Sequence, residues 1–397
     1  MKKVVVIGIT GGIAAYKSAQ LVSNLVKKGH DVHVIMTESA TKFIQPLTFE
    51  TLTHNRVSVD TFDRTFKYDV NHISLAQRAD LFVVAPASAN SIAKFAHGLA
   101  DDMLSTTFLA ATCPKLIAPA MNTGMLENPI TRRNIQICQE YGMEFIESGS
   151  GYLACGDIGK GRLAPIEEIE DAVEQLLISP KILKGKKVVV TAGPTEEALD
   201  PVRFITNHSS GKMGFAVARA ARNLGADVTL ITGPVTLRDP IGIKLVKVTT
   251  ATQMFEAVDR LKSEYDILVK SAAVTDYRAK EIADQKLKKT KEAVLQLEFV
   301  ENLDILAHMG ACKKEHQIIC GFAMETEDLI KNGIKKLRSK RVDMIVANLL
   351  TEAHAGFNVD TNKVTLLTAE ETLELDVMSK ESLGSEIMLR LADLLKK

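Results

Sequence analysis

The sequence predicts an α/β protein built from two doubly wound units in tandem. Three observations predict it. Short apolar runs alternate with segments of helical periodicity along most of the 397 residues, the pattern of a mostly parallel sheet covered on both faces. The arrangement that opens the chain at Val4 (strand, glycine-containing loop, helix, glycine, strand) begins again at Val188. Residues with chemistry to offer follow the apolar runs directly, where open α/β sheets bind ligands.

Residues 4–9 form the first strand. Thr10-Gly-Gly-Ile-Ala-Ala-Tyr-Lys17 turns it into a helix that stops at Lys27-Lys-Gly29, its lysines suited to the negative helix end. Residues 31–36 form the second strand and lead into Thr37-Glu-Ser39. A strand at 81–85, a helix through Ala93, a strand at 116–118, a helix near 132–141 and a strand at 144–146 follow. A helix at 166–177 closes this unit, which gives a first domain over 1–178 and a linker over 179–185.

The second domain, 186–397, has strands at 188–191, 227–232, 244–248, 266–271, 317–322, 344–347 and 364–368, and a last helix near 380–395. Two segments break the regularity. Residues 149–164 read as a glycine-rich loop, and residues 279–298 carry Lys286-Leu-Lys-Lys289 with few core-like positions. Long loops in compact α/β domains are often functional.

Composition excludes several classes. Lys+Arg and Asp+Glu both number 49, so no net field draws nucleic acid or an anionic membrane. The five cysteines, Cys113, Cys138, Cys155, Cys312 and Cys320, form no CxxC pair; a reducing compartment and no zinc site are expected. No run approaches the roughly 18 apolar residues of a membrane helix. The expectation is a cytoplasmic protein.

Each candidate has a plain reading beside its chemical one. Ser209-Ser-Gly211 offers hydroxyls and N–H groups at a helix start, a phosphate-holding arrangement. Neither opening is GxGxxG, and neither second strand ends in a lone acid: Glu38 lies between two hydroxyl residues, and Thr232-Gly-Pro234 has none. That weakens an NAD-type reading. Cys155 reads as a small hydrophobe or, in a glycine-rich lid, as a thiol general acid. His72 sits at a loop-to-helix junction, where most histidines are structural. Asn122 either caps its turn or binds a carboxylate. Lys286, Lys288, Lys289 and Lys291 read as a solvated patch, or with Lys336 and Lys340 as a polyphosphate site; there is no GxxxxGK[ST]. A two-domain nucleotide-dependent oxidoreductase and a non-catalytic binding or regulatory module stand as the alternatives.

Taken together, the motifs resemble the bacterial bifunctional phosphopantothenoylcysteine decarboxylase/phosphopantothenate–cysteine ligases of coenzyme A synthesis. In the first half the resemblance rests on Gly11-Gly-Ile-Ala-Ala-Tyr-Lys17, Asn71-His-Ile73, Ala85-Pro-Ala-Ser-Ala-Asn90, Pro119-Ala-Met-Asn122 and Ala154-Cys-Gly-Asp157. In the second it rests on Thr191-Ala-Gly-Pro-Thr195, Asp200-Pro-Val-Arg203, Thr206-Asn-His-Ser-Ser-Gly-Lys-Met-Gly214, Ala272-Ala-Val-Thr-Asp-Tyr277 and Lys286-Leu-Lys-Lys289. It covers essentially the whole chain.

The resemblance implies two Rossmann-like domains, a flavodoxin-like FMN decarboxylase followed by a CTP-dependent ligase. It implies FMN contacts at Gly11, Gly12, Ile13, Thr37, Ser39, Ser88, Asn90 and Ser91. The flavin would oxidise a cysteinyl thiol, with His72 in the active site, Asn122 holding the carboxylate and Cys155 returning a proton. For the ligase it implies Asn207 at an acyl-cytidylate, Lys286 neutralising charge in its formation, and Asp276, Phe322, Lys336 and Lys340 on CTP. The substrates are then 4′-phosphopantothenate, cysteine and CTP. Magnesium follows from the triphosphate, with no ligand set assigned. Family analogy gives trimeric decarboxylase domains, dimeric ligase domains and a dodecamer. One departure stands out: Leu126 occupies a place where the family pattern often has an aromatic residue.

Overall fold

Parallel pairing of Val4–Ile9 (β1) with Asp31–Met36 (β2) on one side and Leu81–Ala87 (β3) on the other builds the centre of the first sheet. The computed structural model describes residues 2–62, 71–153, 156, 158–178, 180–288, 295–325, 328–349 and 359–396, without the side chains of residues 71, 325 and 349. The chain divides into two units, Met1–Ile178 and Ser179–Lys397.

In the first unit, Lys115–Pro119 (β4) and Glu144–Phe145 (β5) extend the sheet to the order β2-β1-β3-β4-β5, all parallel. All seven residues of β3 are buried. A strand between two helical layers has no polar face to show, hence the unbroken apolar run. One layer packs Leu21, Val22 and Leu25 with Ile169 and Val173; the other packs Leu75, Ile92, Phe95, Leu104 and Phe108. Phe95 and Phe108 stack with centroids 3.8 Å apart. Each fully buried side chain of this size contributes about 1.5–3 kcal/mol. The strand order reverses between β1 and β3, which opens a crevice at their carboxyl ends.

Residues 149–164, expected as a loop, instead contain an antiparallel hairpin of Gly149–Tyr152 (β6) and Ile158–Arg162 (β7). The sequence hides it because glycines replace the apolar alternation that marks ordinary strands. At Gly161 the reason for glycine is direct. Its φ is +124°, and a Cβ there would lie 2.2 Å from the Met121 carbonyl oxygen.

The second unit begins with a turn. Residues 180–185, expected as a linker, pack onto it: Leu183 is buried, and its N–H donates to Leu224 O at 2.9 Å. Its strands are Lys187–Ala192 (β8), Glu196–Ala198 (β9), Phe204–Thr206 (β10), Asp227–Thr232 (β11), Lys244–Lys247 (β12), Ile267–Lys270 (β13), Tyr277–Ala279 (β14), Phe299–Glu301 (β15), Ile318–Glu325 (β16), Met344–Leu349 (β17), Thr361–Leu367 (β18) and Thr372–Ser379 (β19). The main sheet runs β12-β11-β8-β13-β16-β17-β18-β19. Its first six strands are mutually parallel, and β18 pairs antiparallel with both β17 and β19.

This unit therefore reverses order between β8 and β13, a 3-2-1-4 pattern, whereas the first unit reverses after a 2-1-3 pattern. The repeat read from sequence is one of element type, not of strand order. β19 carries no core-like run: Thr372-Leu-Glu-Leu-Asp-Val alternates charge with apolar residues, as an edge strand facing water does. Among the described residues, no helix is long and apolar enough to cross a membrane.

Candidate functional site

Two sites are assembled, the first where the strand order of the first sheet reverses and the second beside β13 and β16. In the first unit the loops after β1, β2, β3 and β4 converge. Thr10, buried at the end of β1, ties two of them together: its hydroxyl donates to Pro86 O at 2.8 Å and accepts from Ser88 N–H at 2.9 Å. Gly11 must lack a side chain, since a Cβ there would lie 2.4 Å from Ser39 Cβ. Thr37 caps the short helix Glu38–Thr41, accepting from Ala40 N–H. Ser88 caps Ala89–His97, accepting from Ser91 N–H at 3.3 Å, with the two hydroxyl oxygens 3.2 Å apart.

The loop carrying Asn122 joins this cluster, because Ala120 N–H donates to Ala87 O at 3.0 Å. Asn122 is half-buried, and its Oδ1 accepts from Gly124 N–H at 2.8 Å. The hairpin then lies along the same loop. Met121 N–H donates to Gly161 O at 2.9 Å, and the Thr123 hydroxyl donates to Lys160 O at 2.7 Å.

Of the residues singled out in sequence, Gly11, Gly12, Ile13, Thr37, Ser39, Ser88, Asn90, Ser91 and Asn122 thus lie on neighbouring loops at one sheet edge. Gly12 and the exposed Ile13 start the turn Ile13–Lys17, and Asn90 is exposed beside buried Ser91. His72 is half-buried in the first turn of Asn71–Arg78, a helix packed on Met103–Ala110. Cys155 lies outside the described residues. Thr10 was not singled out, although a hydroxyl directly ending an apolar strand is the signal that would have found it.

The second site surrounds β13. A cavity of about 370 Å³ is lined by Lys270, Asp276, Tyr277, Asn302, Asp304 and Phe322, and by Lys336 and Lys340 among others. Asp276, Phe322, Lys336 and Lys340, spread over 65 positions of sequence, are brought together here. Lys286 is not among the lining residues; it is exposed on the segment that follows β14.

A buried web fixes the loop that carries Asp276. The Thr275 hydroxyl donates to Glu197 Oε1 at 3.3 Å, Thr275 N–H donates to the Thr195 hydroxyl at 3.2 Å, and Asn302 Nδ2 donates to Thr275 O at 2.9 Å. Asn207 Nδ2 donates to Ala273 O at 2.9 Å, which sets Asn207 beside the same loop. Gly211 starts the helix Lys212–Asn223 with φ +78° and abuts Gly193 after β8.

Charge is unevenly held in the cavity. Burial pushes Lys270 down to about 8, with Asp304 the strongest opposing influence, while Lys336 adds to the depression. Lys270 Nζ donates to Ala272 O at 2.9 Å. Burial acts to raise Asp304, but its bond from Lys340 Nζ at 2.6 Å and from Ala307 N–H at 2.8 Å outweigh that and hold it below the usual carboxylate range. Sequence reading missed both residues. Lys270 ends the apolar run Ile-Leu-Val and Asp304 caps a helix, so the rule that chemistry follows strands applied to Lys270 as well.

Residues 1–178 match the Flavoprotein family, and residues 183–395 match the DNA/pantothenate metabolism flavoprotein C-terminal domain. The coenzyme A biosynthesis bifunctional protein CoaBC of Bacillus subtilis (strain 168) is 48% identical over 397 residues, covering 99% of this chain and 97% of that one. Its namesake from Escherichia coli (strain K12) is 41% identical over 390 residues, covering 97% and 96%. Among solved structures, the C-terminal domain of a coenzyme A biosynthesis bifunctional protein CoaBC shares 39% identity. It covers 55% of this chain and 99% of that chain, with a TM-score of 0.47. The FMN-dependent cysteine decarboxylase SpaF shares 29%, covering 44% and 95%, with a TM-score of 0.39.

Proposed function

The chain belongs to the family of coenzyme A biosynthesis bifunctional proteins, and we propose that it carries out two consecutive steps of that synthesis. The second unit, Ser179–Lys397, joins 4′-phosphopantothenate to cysteine at the expense of CTP. The first, 1–178, decarboxylates the product to 4′-phosphopantetheine with FMN. Membership of this family sets aside the oxidoreductase and the non-catalytic module.

In the first unit, Thr10, Thr37, Ser39, Ser88 and Ser91 supply hydroxyls, and the turn at Gly12 supplies backbone N–H groups, for the phosphate and ribityl chain of FMN. The close approach at Gly11 supports that fit. When bound, FMN supplies the two-electron oxidation of the substrate thiol and its reversal. Asn122 orients the substrate carboxylate without an ion pair, so the group is free to leave as carbon dioxide. Gly124 N–H on Oδ1 sets the amide's orientation, and Nδ2 is its donor end. His72 and the Cys155 thiol move protons, Cys155 belonging to the connection between β6 and β7. A general acid of this kind must reach hydrogen-bond distance of the atom it protonates.

In the second unit, the convergence of Lys336, Lys340, Asp276 and Phe322 on one cavity carries the reading. Two ammonium groups on one side and an aromatic wall suit a nucleoside triphosphate. Asp276, Glu301 and Asp304 give that cavity three carboxylates, hard oxygen donors suited to magnesium. Among the described residues no three acidic, His or Cys side chains are grouped as a metal cage, and no ligand set is assigned. Asn207 steadies the acyl-cytidylate, and Lys286 neutralises charge as it forms. The reading also has the protein cytoplasmic and homo-oligomeric.

The test is one reaction of purified protein with 4′-phosphopantothenate, cysteine, magnesium and CTP, with ATP as control, read by mass spectrometry. 4′-Phosphopantetheine together with CMP is expected. Accumulated phosphopantothenoylcysteine would overturn the first half of the reading. No product from folded, flavin-loaded protein would overturn both.

A further inference from the structure

The segment bearing Lys286 has no regular secondary structure over residues 282–288, yet it is pinned to the turn between β9 and β10. The pin is Asp200, which is buried. Its Oδ1 accepts from Val202 N–H and Arg203 N–H, both at 2.8 Å. Its Oδ2 accepts from Arg203 Nε at 2.9 Å, from Arg203 Nη2 at 2.6 Å and from Leu287 N–H at 3.1 Å. The same Nη2 donates to Leu287 O at 2.6 Å. Both polar backbone atoms of Leu287 are therefore held by one carboxylate–guanidinium pair more than 80 residues away in sequence. A further bond, from Ala283 N–H to Leu199 O at 3.1 Å, aligns the segment with that turn.

Such an arrangement does more than tidy a surface. A stretch with little apolar surface cannot be ordered by burial, so its conformation depends on local bonds that offset the lost chain entropy. Burial acts to raise Asp200, but the Arg203 side chain and three backbone N–H groups outweigh it and hold the carboxyl far below its ordinary range. The carboxylate therefore stays ionised throughout the neutral range. Lys286 is bonded directly to Leu287, and a lysine that neutralises developing charge acts only from a fixed position.

We propose that Asp200 is a positioning residue for nucleotide activation: through Leu287 it holds Lys286 where charge develops as the acyl-nucleotide forms. The proposal rests on the reading of Lys286 given above. Asn at position 200 keeps the shape but places an amide against the Arg203 and Leu287 donors.

The experiment is a double-mutant cycle on the full-length, flavin-loaded protein. Single-turnover pyrophosphate release from CTP and 4′-phosphopantothenate is measured for Asp200→Asn, Lys286→Gln and the double variant. Asp200→Asn is expected to slow release about 10–100-fold, mainly in kcat and with little change in KM for CTP. Asp200→Glu, which restores the charge, is expected to recover part of the rate. In the Lys286→Gln background, Asp200→Asn is expected to add no further loss, while decarboxylation of supplied phosphopantothenoylcysteine is unchanged in every variant.

Wild-type release from Lys286→Gln would sink the Lys286 reading itself. Slow Lys286→Gln beside wild-type Asp200→Asn would overturn the Asp200 proposal alone. Losses that simply multiply would overturn it too, because Asp200 would then act by another route. Should Asp200→Asn fail to fold, Asp200→Glu takes its place in the same cycle, with faster hydrogen exchange at the Leu287 amide expected alongside slower release.

Discussion

Lys340 and Asp304 are 36 residues apart in sequence and joined by a 2.6 Å bond in the lining of the second unit's cavity. Asp304 also caps the helix Ile305–Cys312 through Ala307 N–H, so one carboxylate serves both a helix end and a cavity lysine. Asp304→Ala is expected to cost about 0.5–2 kcal/mol as a lost cap. The sign with pH follows from the direction of its shift. A carboxyl held below its unfolded value contributes stability above that unfolded value and loses it as pH falls through the folded one. Thermal melts of the two proteins should therefore differ at pH 7 and approach each other well below pH 4.

Lys270 predicts the opposite kind of pH dependence. Burial brings it down to about 8, so its charge is present below that value and fades above it. Affinity for CTP should weaken as pH rises past about 8, and Lys270→Arg should flatten that fall because a guanidinium stays charged. For folding, the sign is reversed. The partly buried cation is a cost below pH 8 that is relieved between about 8 and the unfolded lysine value, so Lys270→Met should melt at a higher temperature near neutrality. Calorimetric titration and melting curves across pH 6.5 to 9.5 would check both.

At Gly161, alanine meets two obstacles, a left-handed φ and the Met121 carbonyl oxygen. The backbone cost alone is about 1–2 kcal/mol. Because β7 lies along the loop of Asn122, Gly161→Ala should depress decarboxylation sharply and leave pyrophosphate release intact. Faster proteolysis within residues 149–162 would accompany it; unchanged decarboxylation would show that the hairpin's seat does not matter to the chemistry.

Thr10→Val keeps the shape and removes the hydroxyl shared by Pro86 O and Ser88 N–H. Leaving buried partners without it costs about 1–3 kcal/mol. The loop of Ser88 and Ser91 should loosen, and purified protein should carry less flavin, read from its visible absorbance against protein concentration. Full flavin content would argue against Thr10 as the tie between the two loops.

Most of the fold was legible because apolar runs and helical periodicity are local signals, and β3 or the helix Lys212–Asn223 declare themselves in a window of a dozen residues. What escaped was set by distant partners. The hairpin of β6 and β7 has glycine where strands normally alternate, so only the backbone of Met121 and the hydroxyl of Thr123 explain it. β19 was missed because its charged residues face water at a sheet edge. In the site, Asp276, Phe322, Lys336 and Lys340 were legible as motif positions and do line one cavity. Lys270 and Asp304 went unnoticed, since nothing in their own neighbourhood says that a strand end and a helix cap will face each other. Asp200 is the clearest case: its motif was visible, while its bond to Leu287 exists only in three dimensions.

The core clusters on either side of the first sheet draw only on residues between Val5 and Leu177, and one cluster of the second unit draws only on residues between Val189 and Leu367. A break in the message after Ile178 would strip no side chain from any of these clusters. Heredity can therefore treat the halves as separable cargo: two shorter genes, separately regulated and free to drift at different rates, could encode what one reading frame encodes here. Fusion then adds fixed stoichiometry, one copy of each catalyst for every copy of the other.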